Sequence, residues 1–191
     1  NEHTLFSPGY TDVADIDSDG VIDTTFKPTF KYYGYFDSSK CYSYTNERFE
    51  PVTAAIKTAD SRYTCPSSES LWSGNFMNWA MMSRIDVVRK MLYGGKRYKD
   101  GHLDNRGGFS ETVLERANLS KDAHSFVKHY WGVDIRDYTP FSTADLIKNT
   151  GTNVNVYAGL TICNRSSEMS PAGVPQIRLA KGNYSMWGTI N

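Results

Sequence analysis

The hydrophobic positions of this chain show one strong helical period, which falls in the middle of the sequence. Five apolar side chains recur at spacings of four, four, three and four residues: Met77, Met81, Ile85, Val88 and Leu92. This spacing puts them on one face of a helix with about 3.6 residues per turn. Ser73 or Asn75 can cap the start, and Gly94 supplies a stop. The pattern predicts one long amphipathic helix near residues 76–93.

Elsewhere the chain is polar, with short apolar runs between turn residues. Tyrosine alternates with small or polar residues from Cys41 to Tyr44, and valine alternates with polar residues within 153–162. Both patterns are typical of short, half-buried strands. Ser120 precedes a run that predicts a helix to about Tyr130. We therefore expect an α+β fold that is rich in loops and short β-strands.

The composition is that of a folded protein. Of the 191 residues, 39% are apolar and 14% are aromatic, and 13 are tyrosine. Disordered chains lack the aromatic surface that offsets chain entropy. The 21 basic and 21 acidic side chains give a formal net charge of zero, so the chain as a whole lacks the basic field with which proteins bind nucleic acid or acidic membranes. We expect no nucleic-acid partner.

The first residues of the sequence and its apolar runs predict neither a signal peptide nor a membrane helix. The first 20 residues carry four aspartates and a glutamate and no apolar core, unlike a signal peptide. No apolar run approaches the roughly 18 residues of a membrane helix. We expect no transmembrane segment, and a chain that is a mature product or a fragment. Residues 1–31 predict a calcium-binding aspartate segment, and residues 32–191 predict a single α+β domain.

The most chemically specific string is D-x-D-x-D-G-x-x-D at residues 15–23. Calcium takes about six to eight oxygen ligands, and a tight loop can present alternate positions to one ion. The predicted ligands are Asp15, Asp17, Asp19, the carbonyl oxygen of Val21, and Asp23. Gly20 stands where the sharp turn needs a residue without a Cβ atom. The string predicts calcium as a cofactor, and a solvated acidic turn is the alternative.

This string differs from a complete EF-hand. The twelfth position holds Phe26 instead of glutamate, and no helical pattern follows it. The loop is therefore more similar to the calcium loops of dockerin and thrombospondin modules. A carboxylate from elsewhere or water must complete the ligand shell.

Three cysteines are present, and none belongs to a C-x-x-C motif that would predict zinc or haem. Cys41 and Cys65 flank a polar, turn-rich stretch, and we expect a disulfide between them. Cys163 is then left over, which suggests a partner outside this sequence. The alternative is three reduced thiols in a cytosolic protein.

Three stretches carry an unusual combination of motifs. They are Y-Y-G-Y-F-D at 32–37 with C-Y-S-Y at 41–44, G-N-F-x-N-W at 74–79 with R-I-D-x-x-R-K at 84–90, and V-L-E-R-A at 113–117 with D-A-H-S at 122–125. Together they resemble the PilC/PilY family of type IV pilus tip-associated adhesin and biogenesis proteins, from about residue 20 to residue 145.

The resemblance implies a role in large secreted proteins that carry a von Willebrand A-like region and a β-propeller. Such proteins support pilus assembly, adhesion and twitching motility, with pilins, other tip subunits or surfaces as partners. Residues 84–92 resemble the first helix of a von Willebrand A domain, so the chain is expected to be part of such an α/β domain. The D-x-S-x-S adhesion motif is absent, and no adhesion-site residue is carried over.

Two classes of function follow. The first is a non-enzymatic structural or adhesion module, located outside the cell or at the pilus tip, which it reaches through the periplasm and outer membrane. The alternative is a calcium-stabilised secreted hydrolase or glycan-binding domain. We assign no catalytic residue because no motif places two acids, or a nucleophile and its base, together. The wide apolar stripe, with Phe76, Trp79 and Met91 beside the main row, also predicts an exposed apolar patch, or one covered by another chain.

Overall fold

The computed structural model describes residues 2–101, 111–119, 125–146, 149–150, 153–154, 159–169 and 172–188. The helices are α1 Glu2–Phe6, α2 Gly74–Met81, α3 Arg84–Tyr93 and α4 Thr143–Leu146, with 3₁₀ turns at Ile135–Asp137 and Ser185–Gly188. The strands are β1 Lys40–Thr45, β2 Arg48–Ala54, β3 Ile56–Lys57, β4 Tyr63–Thr64, β5 Trp72–Ser73, β6 Arg97–Lys99, β7 Val113–Leu114, β8 Phe126–Tyr130, β9 Asn149–Thr150, β10 Asn153–Val154, β11 Leu160–Ser166 and β12 Pro175–Lys181. The predicted α+β class, with short strands, is confirmed.

The prediction of one continuous helix over 76–93 is wrong, because the segment forms two helices. Met82 and Ser83 have extended backbone, with ψ of 131° and 163°. The Ser83 hydroxyl then caps the second helix by accepting the Asp86 N–H. That helix ends at Gly94, whose φ of 87° favours glycine.

The two helices have different surroundings, so they do not share one apolar face. All eight residues of α2 are buried. In α3 only Asp86 is fully buried, whereas Met91 and Leu92 are 70% and 74% exposed. Phe76 and Trp79, which the sequence placed beside the exposed stripe, are covered by their own chain. The exposed apolar residues of this region therefore belong to α3.

Aromatic rings form the centre of the core around α2. The Phe26 ring lies 5.0–5.6 Å from the ring centroids of five others: Tyr32, Phe76, Trp79, Tyr130 and Tyr138. Edge-to-face and stacked pairs at these distances stabilise beyond their buried area. The high tyrosine content is thus used partly in the core, although Tyr33 and Tyr44 are exposed.

Two three-stranded sheets frame the core, with strand orders β2-β1-β5 and β12-β11-β8. Every pair among the described strands is antiparallel. The helix predicted up to Tyr130 is wrong over Phe126–Tyr130, which forms β8 and pairs with β11. Residues 120–124 and 155–158, where that helix and the predicted strand at 153–162 also extended, lie outside the described residues. Membership of a von Willebrand A-like domain stays a prediction.

Asparagine side chains join the first two motif stretches to each other. Asn75 accepts the Tyr32 N–H at 2.8 Å and donates to the carbonyl oxygen of Phe30 at 2.8 Å. Asn78 donates to the carbonyl oxygens of Tyr32 and Phe36 and accepts the Phe36 N–H. These buried amides satisfy the backbone of a segment without regular structure. A Cβ atom on Gly34 would collide with the Asn78 amide.

The third motif stretch is fixed through Arg116, which is buried. Its guanidinium donates to the side-chain oxygen of Asn164 and to the carbonyl oxygens of Arg165 and Gln176. Burial lowers the pKa of Arg116 to about 10. Next to it, the Ala117 N–H donates to Asp86 at 2.8 Å, so this stretch connects α3 to the sheet β12-β11-β8.

The predicted disulfide between Cys41 and Cys65 is present, with the two Cα atoms 5.8 Å apart. It lies in a small second core with Leu71. Cys163 is a free, half-buried thiol on β11, and burial raises its pKa. Among the described helices, none is long and apolar enough to cross a membrane.

Candidate metal centre

The aspartate loop, defined as residues 14–23, is closed at its base by backbone contacts. The Asp23 N–H donates to the Ala14 carbonyl oxygen at 3.0 Å. The Asp23 carboxylate accepts the Ile16 N–H at 2.9 Å. One predicted ligand, Asp23, therefore holds the two ends of the loop together, and it is half-buried.

Carboxylates also shape the interior of the loop. Asp15 accepts the N–H groups of Asp19 and Gly20 at 3.1 and 2.9 Å. Asp19 accepts the Val21 N–H at 2.8 Å. Gly20 has a φ of 89°, a conformation that glycine adopts without steric cost, as the sequence spacing predicted.

The loop brings three of the predicted ligands together. One carboxylate oxygen each from Asp15, Asp17 and Asp19 lies within 4.8 Å of the others, and all three residues are exposed. Asp23 is outside this group, and Val21 contributes its N–H to the loop. Carboxylate oxygens at alternate positions are a donor set suited to calcium.

A lysine that the sequence reasoning missed reaches into the loop. The Lys27 ammonium lies 2.5 Å from Asp17, 2.6 Å from Asp19 and 3.5 Å from Asp23. The hydrogen bonds that the Lys27 ammonium donates to Asp17 and then to Asp19 raise the pKa of Lys27. Correspondingly, the hydrogen bond from Lys27 and then the N–H of Val21 lower the pKa of Asp19. The position of Lys27 four residues after Asp23 was the available signal.

The ammonium position shows that a cation fits against these carboxylates. The single positive charge of Lys27 is paired with Asp17, Asp19 and Asp23, and with Asp15 included the loop keeps a negative charge. A divalent ion would supply more charge than the lysine does, and its ligands would be Asp15, Asp17 and Asp19, with Asp23 and the Val21 carbonyl oxygen as the further candidates. Lys27 would have to move aside for it.

The loop is attached to the core at both ends. Before it, Asp12 accepts hydrogen bonds from the Lys128 ammonium at 2.8 Å and from the Trp79 indole at 3.1 Å. After it, the Thr25 hydroxyl donates to the carbonyl oxygen of His129 at 3.0 Å. Lys128 is buried, and burial lowers its pKa against the opposing effect of Asp12. These contacts attach the residues on either side of the loop to α2 and β8.

A second polar cluster surrounds Asp134. Its two carboxylate oxygens accept hydrogen bonds from the hydroxyls of Tyr130 at 2.5 Å and Tyr138 at 3.0 Å. Arg62 lies 3.5 Å from the same carboxylate. Both oxygens are thus engaged by neighbouring side chains, and the cluster connects the segment that carries β4 to the core.

Comparison with known proteins defines the class of this fold. The family of the PilY1 homolog small alpha/beta domain matches residues 23–180. The chain therefore belongs to this family, and the resemblance seen in the three motif stretches is confirmed. Comparison with the solved structures found no significant match.

Two relatives are type IV pilus biogenesis factor PilY1 homologs of Xylella fastidiosa strain Temecula1. One is 32% identical over 197 residues, which cover 100% of this chain and 12% of the relative. The other is 37% identical over 103 residues, which cover 51% of this chain and 8% of the relative. The chain thus spans only a small part of the length of these relatives.

Proposed function

We propose that this chain is a non-enzymatic structural and adhesion module of a type IV pilus biogenesis protein. The observation that carries the proposal is the family match over residues 23–180. The related proteins are named as type IV pilus biogenesis factors. The module supports pilus assembly, surface attachment or twitching motility. Its partners are pilins, other pilus-tip subunits or the remainder of a longer polypeptide.

The module works outside the cytoplasm, at the pilus tip or cell surface. The Cys41–Cys65 disulfide supports this location, because disulfides form and persist in oxidising compartments such as the periplasm. A non-enzymatic role is supported by the way the chain uses its buried Asp86 and its half-buried Asp134. Asp86 is bound by Ser83 and Ala117, and Asp134 is bound by two tyrosines.

A test of this role uses the full-length protein in its own cells. Replacing both Asn75 and Asn78 by alanine removes the amides that hold residues 30–38, and we expect loss of surface pili and of twitching. Thr53→Ala, at an exposed position of β2, is the control and should leave both intact. The proposal would be contradicted if the double variant is exported, its module is shown to be unfolded, and the cells still carry normal pili.

Non-enzymatic function has its own test. The full chain should show no hydrolase turnover in a broad substrate screen. Turnover that is abolished by one substitution outside residues 15–23 would favour the hydrolase alternative.

Calcium is the ion that we propose for the aspartate loop. The support is the alternate spacing of carboxylates and their convergence on a cation position. A ligand that binds the folded state raises the melting temperature by mass action. At calcium about 100-fold above its Kd, we expect a rise of about 5–10 °C that a chelator reverses.

The matched variants separate this site from non-specific charge effects. Asp17→Asn combined with Asp19→Asn should abolish the calcium-dependent rise. Glu47→Gln, which removes an exposed carboxylate outside the loop, should preserve it. An unchanged melting temperature of the wild type in millimolar calcium would rule out the proposed site. So would a calcium-dependent rise that the Glu47→Gln control loses as completely as the double variant does.

A further inference from the structure

One face of α3 is apolar and exposed. Val88, Met91 and Leu92 are neighbours on the helix surface, at spacings of three and four residues. They are 39%, 70% and 74% exposed, and Tyr93 beside them is 55% exposed. We refer to Val88, Met91, Leu92 and Tyr93 as the α3 surface. Large apolar side chains grouped in this way on a surface indicate a contact site.

Basic side chains surround the α3 surface. The segment from residue 84 to residue 99 contains six basic residues and one acidic residue: Arg84, Arg89, Lys90, Lys96, Arg97 and Lys99, against Asp86. Asp86 is fully buried, where it binds Ser83 and Ala117. The last three basic residues are paired with acids: Lys96 with Glu115, Arg97 with Asp100 and Lys99 with Glu111. The unpaired positive charge of this segment therefore lies on α3.

The basic residues nearest the apolar side chains lack acidic neighbours. Among the described residues, Arg84, Arg89 and Lys90 form no ion pair within 4.0 Å. By helical spacing, Arg84 lies one turn before Val88, and Arg89 lies one turn before Leu92 and Tyr93. On β6, which follows α3, Tyr98 is 75% exposed, but its neighbours Arg97 and Lys99 are paired with Asp100 and Glu111.

We propose that the α3 surface, with Arg84, Arg89 and Lys90 beside it, binds the surface of an anionic phospholipid bilayer. The complementary charge is the lipid phosphate, which attracts the lysines and arginines. Met91 and Leu92 then enter the boundary between headgroups and acyl chains, as the apolar faces of interfacial helices do. Tyrosine suits the same depth because it has an apolar ring and a polar hydroxyl.

An acidic protein is the other partner that basic charge could attract. Protein interfaces are enriched in methionine, tyrosine and arginine, but they are depleted of lysine and place their apolar residues in a central patch. In α3, the most exposed side chains are instead flexible methionine and leucine at the end of a helix, with basic residues along it. The bilayer is therefore the better match to the observed arrangement.

The test measures co-sedimentation of the full chain with vesicles. We expect binding to phosphatidylcholine vesicles that contain phosphatidylglycerol, and little binding to phosphatidylcholine alone. Raising NaCl from about 0.1 M to about 1 M should weaken binding strongly, because salt screens exposed charges. The double variant Arg89→Glu with Lys90→Glu should lower the affinity at least about tenfold.

Apolar variants distinguish a bilayer from an acidic protein. Met91→Gln with Leu92→Gln keeps every charge and should lose most vesicle binding while it still binds soluble poly-glutamate. The control, Val52→Gln with Ile56→Gln, removes exposed apolar side chains outside this surface and should bind vesicles normally. Melting curves verify that all variants fold.

Three results would overturn the proposal. Equal binding to neutral and anionic vesicles would show that the basic side chains do not contribute to binding. Unchanged vesicle binding by the Met91 and Leu92 variant would show that these side chains do not insert into the bilayer. Binding to poly-glutamate without binding to anionic vesicles would favour an acidic protein partner. None of these results bears on the pilus role, which is tested separately by piliation.

Discussion

Lys27 neutralises part of the negative charge of the aspartate loop. Its ammonium contacts Asp17 and Asp19 and approaches Asp23. The spacing of the aspartates predicted five converging ligands, and the carboxylates of three of them, Asp15, Asp17 and Asp19, lie together, because a tight loop alternates its inward positions. The position of Lys27 four residues after Asp23 was a signal for its contact with the loop, but the path of the chain after Asp23 also depends on Phe26, which packs in the aromatic core.

Lys27→Met tests whether this ammonium competes with calcium. Removing a positive charge a few ångströms from the ion position should tighten calcium binding about tenfold. The measurement is the calcium Kd from isothermal titration, and Lys57→Met, an exposed lysine on β3, is the control with unchanged Kd. Unchanged or weaker binding by Lys27→Met would show that the lysine does not compete. If neither protein binds calcium, the proposed site itself fails.

The two helices α2 and α3 show where the periodic pattern misleads at the scale of elements. The five apolar residues from Met77 to Leu92 keep helical spacing across a break at Met82 and Ser83. No proline or glycine marks this break. The available signal was the pair Ser83 and Asp86, which matches a serine cap with an acid three residues later.

The predicted helix is wrong over Phe126–Tyr130 for a different reason. Ser120 resembles the cap of a helix that extends to about Tyr130. In the structure, Lys128 is buried against Tyr10, Asp12 and Trp79, and the strand is formed by pairing with β11. Both contacts join residues far apart in sequence, and local patterns do not contain that information.

Met77 and Met91 provide a matched pair that tests the assignment of α2 to the core and α3 to the surface. Met77 is fully buried, whereas Met91 is 70% exposed. Met77→Ala should lower the free energy of unfolding by about 2–5 kcal/mol, because it leaves a cavity. Met91→Ala should change it by less than about 0.5 kcal/mol. Urea denaturation measures both, and equal effects would contradict the assignment.

Across the whole molecule, opposite charges are separated along a chain of zero net charge. Five aspartates lie between residues 12 and 23, and six basic residues lie between 84 and 99. Net charge correctly described the average, but it gave no information about either region. The family motifs were more informative than the net charge. They contain the asparagines and the glycine that determine how the segment 30–38 packs on α2.

The Cys41–Cys65 disulfide connects the sheet β2-β1-β5 to strand β4 in a region of short elements. Each cysteine is almost completely buried, and the Cys65 N–H donates to the carbonyl oxygen of Asp137 at 2.7 Å. The crosslink spans 24 residues. It therefore restricts the unfolded chain, and loop-closure entropy makes this restriction worth about 3 kcal/mol.

Replacing both Cys41 and Cys65 by alanine should remove this contribution and lower the free energy of unfolding by about 3 kcal/mol. The measurement is urea denaturation without reductant. Cys163→Ala is the control, because Cys163 is a free thiol, and it should unfold close to the wild-type midpoint. Reductant should destabilise the wild type and the Cys163 variant but leave the double variant unchanged. A double variant as stable as the wild type would show that residues 40–65 are held by packing alone, and the argument from the disulfide to an oxidising compartment would then lose its support.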